Sequence, residues 1–279
     1  MPSFHPLADH YQRALRADDV LAQIDAHYPD GPTLHQLAPL DQLHIGGVAA
    51  SSRLLERLSA SLDAQTHPKV LDIGAGLGGL MRQGAALGFH MTGLDITHGF
   101  NALNKALSAR IQQPDAHLLS WVTGDASALP FADNSFDAVL FQHSLLNMPD
   151  AARVLAQSRR VLRPGGQLIM HEVVSGPHVA QLRFPVPWAV SLEQHSHLLS
   201  LIELTQLLEA GGFAIEHVDD WSDTALAWRH RQRQKEQTPR QAVLSPQWVF
   251  GERFISMGKN LVDNLAEGAI KVVEIQASC

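Results

Sequence analysis

The sequence predicts an α/β protein built on a doubly wound, mainly parallel sheet of seven strands, with helical cap segments. Three observations carry that expectation. Short apolar strand-like segments alternate with helical periodicities through residues 69–173. A glycine-rich turn follows the first of these strands, at Gly74-Ala75-Gly76-Leu77-Gly78-Gly79. Acidic residues then stand at the ends of the next two, Asp95 and Asp125. Strands alternating with helices imply right-handed βαβ units and a sheet covered on both faces.

The first 66 residues read as mostly helical, interrupted at Pro29, Gly31-Pro32 and Pro39, with a clearer helix over residues 48–62. They are expected to form an N-terminal cap, 1–66, ahead of a core at 67–279. Lys69-Val70-Leu71-Asp72-Ile73 opens the sheet. Helices are expected over 80–87 and 101–111, and strands over 90–95, 118–123 and 136–141. Val154, Leu155, Val161 and Leu162, with Ser158 as a polar gap, share one helical face, and Pro164-Gly165-Gly166 ends that helix. A strand over 167–173 follows. Ser200 and Glu203 have capping-box spacing ahead of Leu204, Leu207 and Leu208, and Gly211-Gly212 supplies the stop. Strands over 214–218 and 270–275 complete the sheet. Residues 174–198 and 221–268 stand outside this rhythm. They are expected as cap insertions over the sheet's carboxyl edge, where open α/β sheets bind ligands.

Composition narrows the function classes. Of 279 residues, 45% are hydrophobic and 18% charged, which excludes a disordered chain. No apolar run is long enough to span a membrane, and Met1-Pro2-Ser3-Phe4-His5 lacks the pattern of a secretion signal. A cytoplasmic location is expected. The single cysteine, Cys279, allows neither an intrachain disulfide nor a thiolate metal cluster. A net charge of −7 argues against a nucleic-acid partner, and the basic stretch from Arg229 to Lys235 reads as a solvated helix face. The expected partner is a small-molecule substrate, with no nucleic acid and no membrane; a homodimer is allowed.

The turn at residues 74–79 lets the backbone approach a ligand closely and aims a helix N-terminus at it. Gly74, Gly76 and Gly79 also fit the G-x-G-x-x-G spacing of dinucleotide sites. The acidic residues downstream favour a nucleoside without a pyrophosphate. Asp95-Ile96 ends the second strand, where a carboxylate accepts both ribose hydroxyls. Gly124-Asp125-Ala126 follows the third, suited to an adenine edge. An adenosyl sulfonium fits that set better than a nicotinamide dinucleotide.

With these motifs in view, the chain resembles class I S-adenosylmethionine-dependent methyltransferases. Asp72, Gly74, Gly76 and Gly78 resemble the first motif of that family. Asp95 resembles its ribose-binding acid, Asp125 its adenine-side acid, and Leu162-Arg163-Pro164-Gly165-Gly166 the turn before its fifth strand. The resemblance implies a Rossmann-like methyltransferase fold with S-adenosyl-L-methionine as cofactor, held by Asp72, Gly74, Ala75, Gly76, Gly78, Asp95, Ile96, Gly124, Asp125, Ala126 and His143. A narrower resemblance, to the glycine/sarcosine/dimethylglycine N-methyltransferase-like group, rests on Leu43-His44-Ile45-Gly46-Gly47, Pro185-Val186-Pro187-Trp188-Ala189 and residues 260–268. In that group the first segment approaches the cofactor and the later insertion helps form the substrate pocket.

Methyl transfer from a sulfonium is an in-line displacement, so positioning dominates. A free amine or thioether needs no strong base, whereas a hydroxyl or carbon acid does. His143, just beyond the fourth strand, is the expected base. Substrate contacts are expected from Tyr11, His44, Arg183, Trp188, His195 and His197. Arg183 is the arginine beside the Pro-Val-Pro-Trp segment able to pair a carboxylate. Glu193, His195 and His197 share a face if extended, but no further ligand accompanies them, so no metal is expected. N-methylation of an amine or amino-acid-like metabolite is the leading expectation. S-methylation of a thioether or thiol, and C-methylation of a quinol-type acceptor, stand as alternatives within the class. A nicotinamide-dependent oxidoreductase and a non-catalytic adenosyl-binding protein are the rivals outside it.

Overall fold

The computed structural model describes residues 15–112, 116–191, 196–236 and 243–279. Seven strands form one sheet: β1 (Lys69–Ile73), β2 (His90–Asp95), β3 (Leu119–Thr123), β4 (Phe136–Gln142), β5 (Leu162–Ser175), β6 (Ala214–Asp220) and β7 (Ile270–Ser278). Their order is β3-β2-β1-β4-β5-β7-β6. The pairs β1–β2, β1–β4, β2–β3 and β4–β5 are parallel. β7 runs antiparallel between β5 and β6. The strand order therefore reverses at β1 and β4, and a crevice opens at their carboxyl ends.

The crossover helices follow the apolar periodicity. α1 (Ala17–His27), α2 (Leu34–Asp41) and α3 (Val48–Ser61) precede the sheet; α4 (Gly79–Ala86), α5 (His98–Ser108), α6 (Ala151–Val161), α7 (Leu201–Ala210), α8 (Ser222–Glu236) and α9 (Phe254–Ala266) are spaced through it. On one sheet face, α6 and α7 bury Val154, Leu155, Leu204 and Leu208 against Ile73, Phe141 and Met170. On the other, α3 and α4 bury Leu54, Leu58, Leu80 and Met81 against Val70, Leu140 and Ile169. α3 thus belongs to the layer covering the sheet, because its Leu54, Leu55 and Leu58 stripe faces the strands. Ser200 and Glu203 form the anticipated capping box of α7.

Several boundaries differ from the sequence expectation, and two have a clear local cause. α5 begins at His98, three residues early. Asp95 Oδ1 accepts the Thr97 N–H at 2.8 Å, and Asn101 Nδ2 donates back to the Asp95 carbonyl at 3.1 Å, so the helix starts directly off the strand. α6 ends at Val161, and Leu162 already pairs with Phe136 in β5. The residue before a proline disfavours helical backbone, so Arg163 cannot extend the helix.

At the carboxyl edge the cap segments form two apolar clusters. Ile45, Val186, Trp188, Trp221, Leu261 and Val272 make one. Val20, Ile24, Leu37, Leu77, Phe100, Phe250 and Met257 make the other. The insertion is clamped onto α9 by two asparagines: Asn260 Nδ2 donates to Pro185 O at 3.0 Å, and Asn264 Nδ2 to Arg183 O at 3.0 Å. No helix among the described residues is long and apolar enough to cross a membrane.

Candidate active site

A cavity of about 350 Å³ opens where β1 and β4 end, under the caps. Its floor is the turn from β1 to α4. The Gly74 and Ala75 N–H groups both donate to Leu94 O, at 2.8 and 3.1 Å, which ties the turn to β2. Gly76 donates to Asp95 Oδ2 at 2.9 Å, and the glycine leaves open space where a side chain would stand. Asp95 is only 7% exposed. Burial raises its carboxyl, and the Thr97 and Gly76 amides oppose that rise. Asp72, 2% exposed, is pushed up to about 7 by burial and then by Asp95.

Asp72, Gly74, Ala75, Gly76, Asp95, Ile96, Gly124, Asp125, Ala126 and His143 all line this cavity. Asp125 is exposed and caps a short turn, accepting the Ser127 N–H at 2.8 Å. Gly78 does not line the cavity; its Cα faces Asn104, so its smallness serves packing.

The cap-side end is bounded by Leu43, His44, Ile45, Gln142, His143, Pro187, Trp188, Phe250 and Leu261. Trp188 is buried, with its indole N–H donating to Ser196 Oγ at 3.2 Å. Arg183 lies elsewhere: its guanidinium pairs with Glu267 at 2.6 Å and Asp263 at 3.2 Å on the outer surface. His197 is exposed and away from this lining. Tyr11 and His195 lie outside the described residues.

Three imidazoles gather here. The His143 and His171 rings stack at 5.0 Å and within 4° of parallel, and His44 meets both edge-on, at 5.9 and 6.2 Å. His143 has a left-handed backbone, φ 52°, and its N–H donates to His171 O at 2.9 Å. Burial first, then His171 and His44, push His143 well below the ordinary imidazole value. A ring held that low is unprotonated and a weak acceptor of a proton, which bears on the general-base role expected from the sequence. His44 is held at about 3 by burial and then His171, against a hydrogen bond to Gly47. Both rings are therefore neutral. Hydrogen-bond accounting sets their tautomers: the Ile45 N–H points at His143 Nδ1 over a long 3.5 Å, leaving the proton on Nε2. His44 Nε2–H donates to Gly47 O at 3.0 Å, leaving a lone pair on Nδ1.

A model of the methyltransferase domain family matches residues 71–170. The demethylmenaquinone methyltransferase of Renibacterium salmoninarum is 33% identical over 157 residues, 56% of this chain and 60% of that protein. The glycine/sarcosine/dimethylglycine N-methyltransferase of Actinopolyspora halophila is 34% identical over 121 residues, 43% of this chain and 21% of that protein. The chain thus spans less than two thirds of these relatives' own length. The demethylmenaquinone methyltransferase of Listeria monocytogenes is 30% identical over 168 residues, 53% of this chain and 69% of that protein. The chain belongs to the S-adenosylmethionine-dependent methyltransferases. The fold agrees: phosphoethanolamine N-methyltransferase 2 of Haemonchus contortus superposes with a TM-score of 0.72 at 18% identity, covering 100% of this chain and 61% of that one.

Sequence reasoning missed several residues of this methyltransferase cavity. Asp41, at the end of α2, lines it beside Gly79. Asp41 Oδ2 accepts from the fully buried Arg82 at 2.7 Å, while buried Oδ1 has no partner among the described residues. Nothing local marks Asp41, because its pairing depends on how α2 docks against α4. Arg153 lines the Asp125 end, donating to Ser127 O at 2.8 Å. His171 and Glu274 lie behind the cavity wall, buried polar residues whose pairing is set by the register of β5 and β7.

Proposed function

We propose that this methyltransferase N-methylates a small, largely apolar amine taken up as its free base. The observation that carries the reading is the cap-side end of the cavity: apolar walls and two neutral imidazoles, with His44 Nδ1 left as an acceptor. Imidazoles held this low are poor proton abstractors, so the fitting nucleophile is one that attacks without losing a proton first.

The residues present suit the cofactor. Gly76 leaves space toward the cavity, Asp95 keeps acceptor capacity for ribose hydroxyls, and exposed Asp125 suits an adenine edge. S-adenosylmethionine, when bound, supplies an electrophilic methyl on a cationic sulfur. The chain's own contribution is placement. His44 Nδ1 accepts an amine N–H and turns the nitrogen lone pair away from itself, while the apolar cap excludes water. Pre-alignment of this kind is worth roughly 7–11 kcal/mol of a barrier. Trp188 offers an aromatic face for the positive charge that the methylated nitrogen carries.

C-methylation of a quinol-type acceptor is the second reading, favoured by the demethylmenaquinone methyltransferases among the relatives. It would need a base stronger than either imidazole here. Incubation with methyl-labelled S-adenosylmethionine and matched apolar amines, thioethers and quinols tests the choice. Label in amines alone supports the proposal; label in quinols alone replaces it. Larger thermal stabilisation by NADH than by S-adenosylhomocysteine would reject both.

A further inference from the structure

Behind the two cavity histidines, one polar row crosses the sheet. Gln142 on β4, His171 on β5, Glu274 on β7 and Asp219 on β6 are register partners in succession. α3 lies over this row and contacts Gln142, Glu274 and Asp219. Ser51 Oγ donates to Gln142 Oε1 at 3.2 Å. Arg53 donates to both Glu274 oxygens, at 2.9 Å from Nε and 2.8 Å from Nη2. Arg57 reaches Asp219 at 2.5 Å and Glu274 at 3.4 Å.

His171 and Glu274 are both wholly buried. The His171 Nε2–H donates to Ile45 O at 2.9 Å, an atom that can only accept. Nδ1 therefore carries either a lone pair or a second proton, and it faces Glu274 Oε1 at 3.6 Å. A lone pair there would oppose a carboxylate inside the core. A proton there makes a buried ion pair. We propose that His171 is a fixed imidazolium, held between Glu274 and the Ile45 carbonyl, whose charge stands directly against the stacked His143 and neighbouring His44. His171 is thereby a positioning residue: it touches neither cofactor nor acceptor in this reading, and acts through the two rings that do. The inference deepens the methyltransferase reading of the cavity and rests on it.

Every charged or titratable neighbour agrees with this assignment. Burial works against an ionised Glu274, yet His171 and Arg53 outweigh it and hold that carboxyl at about 2. His44 comes from the loop after α2, His143 from the end of β4, and both shift downward with His171 among the causes. Arg53 and Arg57 from α3, and Asp219 from β6 with its own contact to His217 at 2.9 Å, lie on the far side of Glu274. Trp221 closes the remaining side, edge-on to His171 at 5.1 Å. A fixed positive charge next to the cavity adds to burial, the larger cause, in disfavouring a second charge on either cavity imidazole.

The test is nitrogen NMR on the full chain with ¹⁵N-histidine, read from pH 5 to 9 and assigned by single His→Gln variants. In the unmodified protein at pH 7.5, both His171 nitrogens should give imidazolium-type shifts, while His44 and His143 each show one protonated and one bare nitrogen. A neutral His171 at that pH overturns the proposal without need of any variant. In Glu274→Gln, His171 should turn neutral and the titrations of His44 and His143 should move to higher pH. Persistence of the imidazolium in that variant also overturns the proposal, and if the variant does not fold, the unmodified spectrum decides. Calorimetry with S-adenosylhomocysteine runs alongside: absent binding with an imidazolium His171 would defeat the cofactor reading alone.

Discussion

Gly74 faces Ser144 so closely that a Cβ on the glycine would collide with the serine Cβ. Ser144 is fixed there, because its hydroxyl donates to Ile73 O at 2.6 Å and its N–H to the buried Glu172 at 2.8 Å. The turn after β1 and the loop after β4 are thus in contact at the bottom of the cavity.

Two alanine substitutions should separate packing from ligand space. Gly74→Ala meets both that collision and a φ of +80°, and should destabilise the fold by about 1–3 kcal/mol, seen as a lowered denaturation midpoint. Gly76→Ala has open space and a φ of +52°, so the fold should lose only about 1–2 kcal/mol. Its new methyl stands on the cavity side, and S-adenosylhomocysteine affinity should fall more than stability does.

Asp95→Ala removes the carboxylate that Gly76 and Thr97 hold in place. A hydrogen bond to a charged group is worth about 1.5–3 kcal/mol, so calorimetry should register a loss of roughly tenfold or more in cofactor affinity. Unchanged binding would remove Asp95 from the site.

Asp72 sets a pH dependence of stability. Its carboxyl stands at about 7 in the fold through burial first and Asp95 second, against 3.8 as its ordinary value. Between those two pH values the folded chain holds a proton that the unfolded chain has lost, so this group's contribution falls as pH rises through the window. The slope approaches about 1.4 kcal/mol per pH unit within it. Asp72→Asn should flatten the fall, and urea melts at pH 5 and pH 8 will show whether the variant gains on the parent only at the higher value.

The Arg82–Asp41 pair joins α4 to α2 with both side chains buried. Arg82→Met leaves Asp41 without its partner, and breaking one side of such a pair costs about 3–5 kcal/mol. Thermal unfolding should report the drop. Arg183→Ala, in contrast, touches only the outer surface, and S-adenosylhomocysteine affinity should be unchanged by titration.

Much of the core was legible because its signals are local. The short, largely apolar runs at 69–73, 90–95 and 136–141 mark β1, β2 and β4 without any knowledge of their neighbours. Ser200 and Glu203 announce α7 from three residues apart. The glycine turn and Asp95 were legible for the same reason, as a turn and a strand end. Asp41, His171 and Glu274 were not, since each acquires its meaning from a partner set by docking or register: Arg82 for the first, and one another across β5 and β7 for the others. His143 was legible as a residue at the strand end, but its basicity was not, because sequence shows position and not the ring stacked beneath it. Arg183 was misled by its proximity in sequence to Trp188; the short segment between them crosses from the surface into the core.

The row Gln142, His171, Glu274 and Asp219 draws on strands whose pairing closes only when β7 slides between β5 and β6. β7 follows the six other strands in sequence, so the contact between Glu274 and His171 joins the latest strand of the sheet to the middle of the chain.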